Sequence, residues 1–225
     1  CGRLTGQNLV PNYSFDTISA CPFIYGFPGP TLAPPWVAPT DGTPDYFNVC
    51  ATNPQFGVPA NYVGYQYPLA GDGYFGMISY GSGTNLREYL TAPLFQPLVA
   101  DTWYEVSFYI NLANSHCGIN KFGAYFSYIQ PYLNDFHPLN FDPQVEANQG
   151  FLNDTVGWEL VIGCFQAQGG EQYITLGNFY TDAETQVQSG CGTGIAYLLI
   201  ENVTVVETTE PEIIPLDLGG SASAC

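Results

Sequence analysis

The chain reads as an all-β domain, a jelly-roll β-sandwich with long Pro/Gly-rich loops, on three observations. Its 225 residues include 17 Tyr, 15 Phe and 3 Trp beside 25 Gly and 18 Pro, the vocabulary of short strands joined by tight turns. Ala, Lys, Arg and Glu are too sparse for a helix-rich architecture. Runs of alternating apolar and polar residues recur with turn signals between them, the pattern of a sandwich.

Taken in order, residues 8–20 open with Asn8-Leu9-Val10-Pro11 and predict a first strand whose proline suits a sheet edge. Residues 21–61 are rich in Pro and Gly and predict a long ordered loop. Residues 74–80, 87–91 and 103–110 alternate. In the third, Tyr104, Val106, Phe108 and Ile110 share one face and Trp103, Glu105, Ser107 and Tyr109 the other, as a central strand requires. Further strands are predicted at 122–129, 158–166, 173–179 and 194–206. The domain organisation is therefore a short N-terminal segment (1–7), one sandwich (8–206) and a Thr/Glu/Pro then Gly/Ser/Ala stretch (207–225) that reads as a linker or processed end.

Three basic residues, Arg3, Arg87 and Lys121, face 20 acidic ones for a formal charge of −17, which repels nucleic acid and acidic membrane surfaces. The charge serves solubility or draws divalent cations. No run of 18 apolar residues is present, so no helix spans a membrane. Seven cysteines without CxxC or Cys/His metal spacing point to disulfides and an oxidising compartment, so the chain is expected to fold outside the cytoplasm. Cys21 and Cys50, and likewise Cys164 and Cys191, are expected to pair, each across a Gly- or Pro-rich segment. Closing the ~30-residue loop of the first pair contributes roughly 3–4 kcal/mol in the chain-entropy model. Cys117, next to His116, reads as half of a disulfide. Cys1 has two readings, the lipid-carrying residue of a surface lipoprotein or a partner of Cys225.

The segments NLVPNYSFD, GTPDYFNVC, NLREYLTAPL, YEVSFYINLA, GAYFS, WELVIGCFQAQGGEQYITLGNF and AYLLIENVTV, in this order from about residue 8 to residue 206, resemble a family of Bacteroidota exported proteins. Its members carry an N-terminal galactose-binding-like jelly roll, often followed by a type IX secretion sorting domain or an OmpA-like domain. The resemblance implies secretion, or display at a bacterial cell surface in association with the outer membrane, and names no ligand. The opening and closing strands are also similar to those of jelly-roll carbohydrate-binding modules, where acidic residues at these two places hold structural calcium. Here the matching residues are Asp16 and Glu201, with Asn202 beside it in place of the usual second Asp; the alternative is that the carboxylates are hydrogen-bonded within the sheet edge. Thr17 and Thr155, in Asp-Thr-Ile and Asp-Thr-Val triplets, resemble Bacteroidota O-glycosylation acceptors.

Neither histidine sits in an HExxH or GxSxG setting. Glu88, Glu105, Glu159 and Glu171 are carboxylates from which a glycoside hydrolase could draw a pair, the third-ranked function. Sugar rings stack on Trp and Tyr while Asn, Gln and Asp take the hydroxyls, so Trp36, Tyr46, Tyr62, Tyr65, Tyr67 and Tyr132, in loop-like sequence, are either a glycan platform or core residues. Arg87 is either half of a buried ion pair or a contact to a ligand's carboxylate or hydroxyls. The first expectation is a non-catalytic surface module for adhesion or glycan binding. The second is a structural subunit that contacts other surface protein chains in an extracellular assembly or fibre.

Overall fold

A computed structural model describes residues 6–23, 29–148 and 150–211. Within them run β1 (Asp45–Asn48), β2 (Ala60–Asn61), β3 (Gly64–Tyr65), β4 (Gly73–Gly81), β5 (Leu90–Pro93), β6 (Trp103–Leu112), β7 (Gly123–Ser127), β8 (Val145–Glu146), β9 (Glu159–Gln166), β10 (Tyr173–Gly177) and β11 (Ile195–Thr208). One sheet has the order β1-β4-β11-β6-β9 and the other β5-β10-β7-β8, while β2 and β3 form a separate hairpin. All pairings between these strands are antiparallel. From β4 onward the chain crosses repeatedly between the two sheets, with only β7 and β8 consecutive in the same one, in a jelly-roll-like arrangement, and the expected all-β sandwich is observed. The last strand runs to Thr208, two residues past the expected limit of the sandwich.

Alternation explains the core. Tyr104, Val106, Phe108 and Ile110 of β6, Phe75 and Met77 of β4, and Leu198 and Ile200 of β11 point inward against Leu90 and Ala92 of β5, Ala124 and Phe126 of β7, and Ile174 and Leu176 of β10. Each buried side chain of this size contributes about 1.5–3 kcal/mol. Both outer faces are also partly covered by the chain itself. Phe56 and Val63, from the strap 49–72 between β1 and β4, pack on Phe47, Tyr74, Tyr197 and Leu199 of the first sheet. Leu133, Leu139 and Phe141 cover Tyr125 of the second and Tyr89 just before β5, with the Tyr125 and Phe141 rings stacked at 4.3 Å and 12°.

Three expectations are corrected. Residues 11–15 form turns rather than a first strand. The Asn12 side chain bonds both the N–H and the carbonyl of Thr17, each at 2.9 Å, a local alternative to a ladder, and Asn12 and Phe15 have φ of 48° and 62°. The expected loop 21–61 contains β1, whose four residues are too few for alternation to register. Cys191 pairs with Cys117, not with Cys164, whereas Cys21–Cys50 is formed as expected. The β6–β11 register opposes Leu112 to Leu198, and beyond the end of β6 the Cys117 N–H donates to the Ile195 carbonyl at 2.8 Å, which brings Cys117 to the start of β11, just after Cys191. Cys164 faces outward on β9 opposite Glu105 and is itself disulfide-bonded. The lipid-anchor expectation for Cys1 also lies outside the described residues.

Candidate functional site

The strap 49–72 carries three of the expected platform residues. Tyr62, Tyr65 and Tyr67 are 39%, 56% and 62% exposed. Tyr65 and Tyr67 stand edge to face, with ring centroids 5.6 Å apart and planes at 87°, and the Tyr65 hydroxyl donates to that of Tyr67 at 3.1 Å. With Gln66, Thr155 and Val156 they line an open groove of about 370 Å³, within the range of small-ligand sites. Val156 reaches the rim because Asp154 caps its turn: Oδ1 accepts the Val156 and Gly157 N–H groups at 2.8 and 2.9 Å.

The backbone beneath the tyrosines is fastened by side chains from elsewhere. The Tyr65 N–H donates to Asn114 Oδ1 at 2.8 Å, and Trp158 Nε1 donates to the Tyr67 carbonyl at 2.9 Å. Gly64, at φ 151°, lies so close to Asn114 that a Cβ would collide with the amide. Glu201, fully buried on β11, accepts the Leu69 and Ala70 N–H groups at 2.6 and 2.7 Å. Burial pushes its carboxyl up to about 7, against the pull of those two amides. Asp16 Oδ1 accepts the Asp72 N–H at 2.8 Å, with Gly71 (φ 67°) packed where any side chain would meet that carboxylate. Tyr62 and Tyr197 donate their hydroxyls to Asp45, whose carboxyl is raised by burial despite these bonds. Carboxylates that satisfy backbone and hydroxyl donors replace the core such a strap lacks.

The other expected site residues are placed differently. Trp36 is buried edge-on against Phe15 at 5.3 Å, its Nε1 donating to the Asn12 carbonyl at 3.1 Å. Tyr46 is buried with its hydroxyl donating to the Phe15 carbonyl at 2.8 Å. Both are core residues and not platform residues: Trp36 packs beneath the 11–15 turn and Tyr46 points inward from β1. Arg87 is fully buried beside Asp182, with Nη1 to Oδ1 at 3.0 Å; Nε and Nη2 donate to the Tyr180 carbonyl. It is the ion-pair reading that holds. Asp182 Oδ1 makes this contact by charge alone, without hydrogen-bond alignment. Tyr132 is 77% exposed but belongs to the segment over the second sheet. Glu88 and Glu171 accept backbone N–H groups. Thr17 is exposed and Thr155 half-buried at the groove.

Asp16 lies close enough to Glu201 for their charges to interact, and β11 bulges after Glu201, where Asn202 takes φ 58°. Calcium needs six to eight oxygens. Among the described residues no group of three or more His, Cys, Asp or Glu is arranged to hold a metal; Asp16 Oδ1 and both Glu201 carboxylate oxygens accept backbone N–H groups.

Asn114, Trp158 and Val156 went unseen in the sequence. The Asp154-Thr-Val-Gly turn was the one local signal, since Asp in that position favours a turn that presents its neighbours.

No family model matches the chain, and no curated protein matches it in sequence. Among solved structures it is similar to a Stig cyclase of Fischerella sp. TAU crystallised with a substituted 3H-indole, at 10% identity over 92% of this chain and 99% of that one, with a TM-score of 0.55. Looser likenesses are the K1 cleaved adhesin domain of Lys-gingipain from Porphyromonas gingivalis W83 (13%, 91% and 100%, 0.44) and the CBM22-1–CBM22-2 tandem domain of Xyn10C from Paenibacillus barcinonensis (12%, 97% and 50%, 0.48). The cyclase likeness is one of fold alone, and the two looser ones add nothing to it.

Proposed function

We propose that the protein is a non-catalytic, secreted or surface-displayed module of the galactose-binding-like jelly-roll type, from a Bacteroidota-like cell, that binds glycan at the Tyr65–Tyr67 groove. The observation that carries this reading is the exposed tyrosine pair on a backbone fastened by Asn114, Trp158 and Glu201. Exposed aromatic rings on a fixed backbone offer stacking area with little ordering cost on binding. Tyrosine hydroxyls and the Thr155 hydroxyl supply polar contacts at the rim. The disulfides support folding in an oxidising compartment. Among the described residues no helix is long and apolar enough to cross a membrane.

Tyr67→Ala is expected to weaken glycan retention by about 1–3 kcal/mol, as for a stacked anchor, and to leave the melting temperature near that of the parent, because the removed ring is exposed. Affinity electrophoresis beside thermal melting checks both. A protein recovered only in a larger complex and retained by no glycan would favour the structural-subunit reading.

Calcium is tested separately. With Asp16 and Glu201 held by amides, the melting curve is expected to be the same in excess calcium and in excess chelator. A melting temperature raised by calcium and lowered by chelator, through preferential binding to the folded state, would put an ion at Asp16 and Glu201.

A further inference from the structure

Resting on the glycan-binding reading above, we infer that the groove selects a single, soluble, uncharged glycan chain, and rejects both acidic glycans and the flat face of a crystalline one. Ring orientation decides the second half of this. A crystalline glycan face presents a plane, and side chains that read it must lay their rings in one plane. Tyr65 and Tyr67 stand at 87° to each other, joined hydroxyl to hydroxyl. The strands and side chains beneath fix the two Cα positions through Asn114, Trp158 and Glu201. Such a pair forms a corner: one sugar ring can stack on one tyrosine while its edge meets the other, with Val156 closing the third side. A chain free to enter that corner must be released from its neighbours, as in a soluble polysaccharide.

Charge decides the first half. Recognition of a uronate or sulfate calls for Arg or Lys, and both basic side chains among the described residues are engaged. Arg87 is buried against Asp182, and Lys121 is bonded to Glu146 at 3.0 Å with its ammonium 4.2 Å from the Tyr180 ring centre. Acids flank the groove: Asp154 holds the Val156 N–H, and Glu159 lies close enough to Asp154 for their charges to interact. An acidic glycan meets only like charge there, on a chain of net −17. The remaining polar groups, the Tyr65 and Tyr67 hydroxyls and the Thr155 hydroxyl, are uncharged and suit sugar hydroxyls.

The test uses the 225-residue chain in native gels containing soluble neutral glycans (mixed-linkage β-glucan, xylan, galactomannan) or acidic ones (alginate, polygalacturonate), together with pull-down on crystalline cellulose and chitin powders. Retardation by at least one neutral glycan is expected, reduced at least tenfold in Tyr65→Ala and in Tyr67→Ala, with no retardation by the acidic glycans and no depletion by the powders. Depletion by a crystalline powder, or retardation by an acidic glycan in preference to the neutral ones, overturns this inference while leaving glycan binding in place. No retention by any glycan overturns the glycan reading itself.

Discussion

Arg87→Met is expected to destabilise the domain by about 3–5 kcal/mol, the cost of removing one partner of a buried ion pair, which in a domain of this size lowers the melting temperature by about 10 °C. The guanidinium is fully buried and serves several acceptors at once: the Tyr180 carbonyl at 2.9 and 3.2 Å, the Leu86 carbonyl at 2.9 Å, and the Asp182 carboxylate. Methionine fills a similar volume but returns none of these bonds. It leaves Asp182 with its charge partly buried and Tyr180 with an unmet carbonyl. Asp182 itself holds the N–H groups of Gly83 and Asn85 through Oδ2, so the loss loosens the turn after β4 as well. Arg87→Lys keeps the charge but not the fork, and is expected to fall between parent and Met variant. Equilibrium denaturation measures the differences. A loss of ligand retention at unchanged stability would instead return Arg87 to a ligand-contacting role.

The sandwich was legible because its signal is local. Buried and half-buried residues of β6 alternate from Trp103 to Ile110, while β4 and β9 are nearly as long as β6 and β11 is longer, so each is long enough to be read as a strand from its own residues. β1 was not legible for the opposite reason: four residues between a Pro-rich stretch and a disulfide turn have no period to show. Cysteine pairing depends on which strand ends meet across the sheet. Cys117 follows β6 and Cys191 precedes β11, and only the β6–β11 pairing brings those ends together; equally Gly- and Pro-rich spacing around Cys164 could not reveal it.

The candidate site was half legible. Tyr62, Tyr65 and Tyr67 fall close together in the chain, and their common strap is visible in the sequence as a stretch with turns on either side. What decides exposure, however, is contact with distant residues: Asn114 and Trp158 reach the strap from the end of β6 and the approach to β9, and Glu201 from the middle of β11. Trp36 and Tyr46 lie in sequence equally rich in Pro and Gly, yet they are buried because the 11–15 turn folds over them. Composition alone treats these five aromatics alike, and only the tertiary partners separate a core ring from a surface one.

Trp36→Ala therefore tests the distinction with an effect as large as that of Arg87→Met. Truncating a fully buried aromatic costs about 3–5 kcal/mol through lost burial and the cavity left behind, and here the indole N–H bond to the Asn12 carbonyl is lost too. The cavity opens against Phe15, a bulky residue at φ 62° that is held there by edge contacts to Trp36 at 5.3 Å and to Phe75 at 4.8 Å. A non-glycine residue in the left-handed region persists only where its surroundings hold it, so removing one of its two ring partners should release the 11–15 turn. That turn carries Asp16, which in turn anchors the Asp72 N–H at the end of the strap. The expected result is a melting temperature lower by about 10 °C, with Trp36→Phe recovering part of it because the ring contact survives without the N–H. At temperatures where the variant stays folded, glycan retention should match the parent, since the groove at Tyr65 and Tyr67 does not include Trp36. Loss of retention with unchanged melting would reverse the assignment and make Trp36 a binding residue.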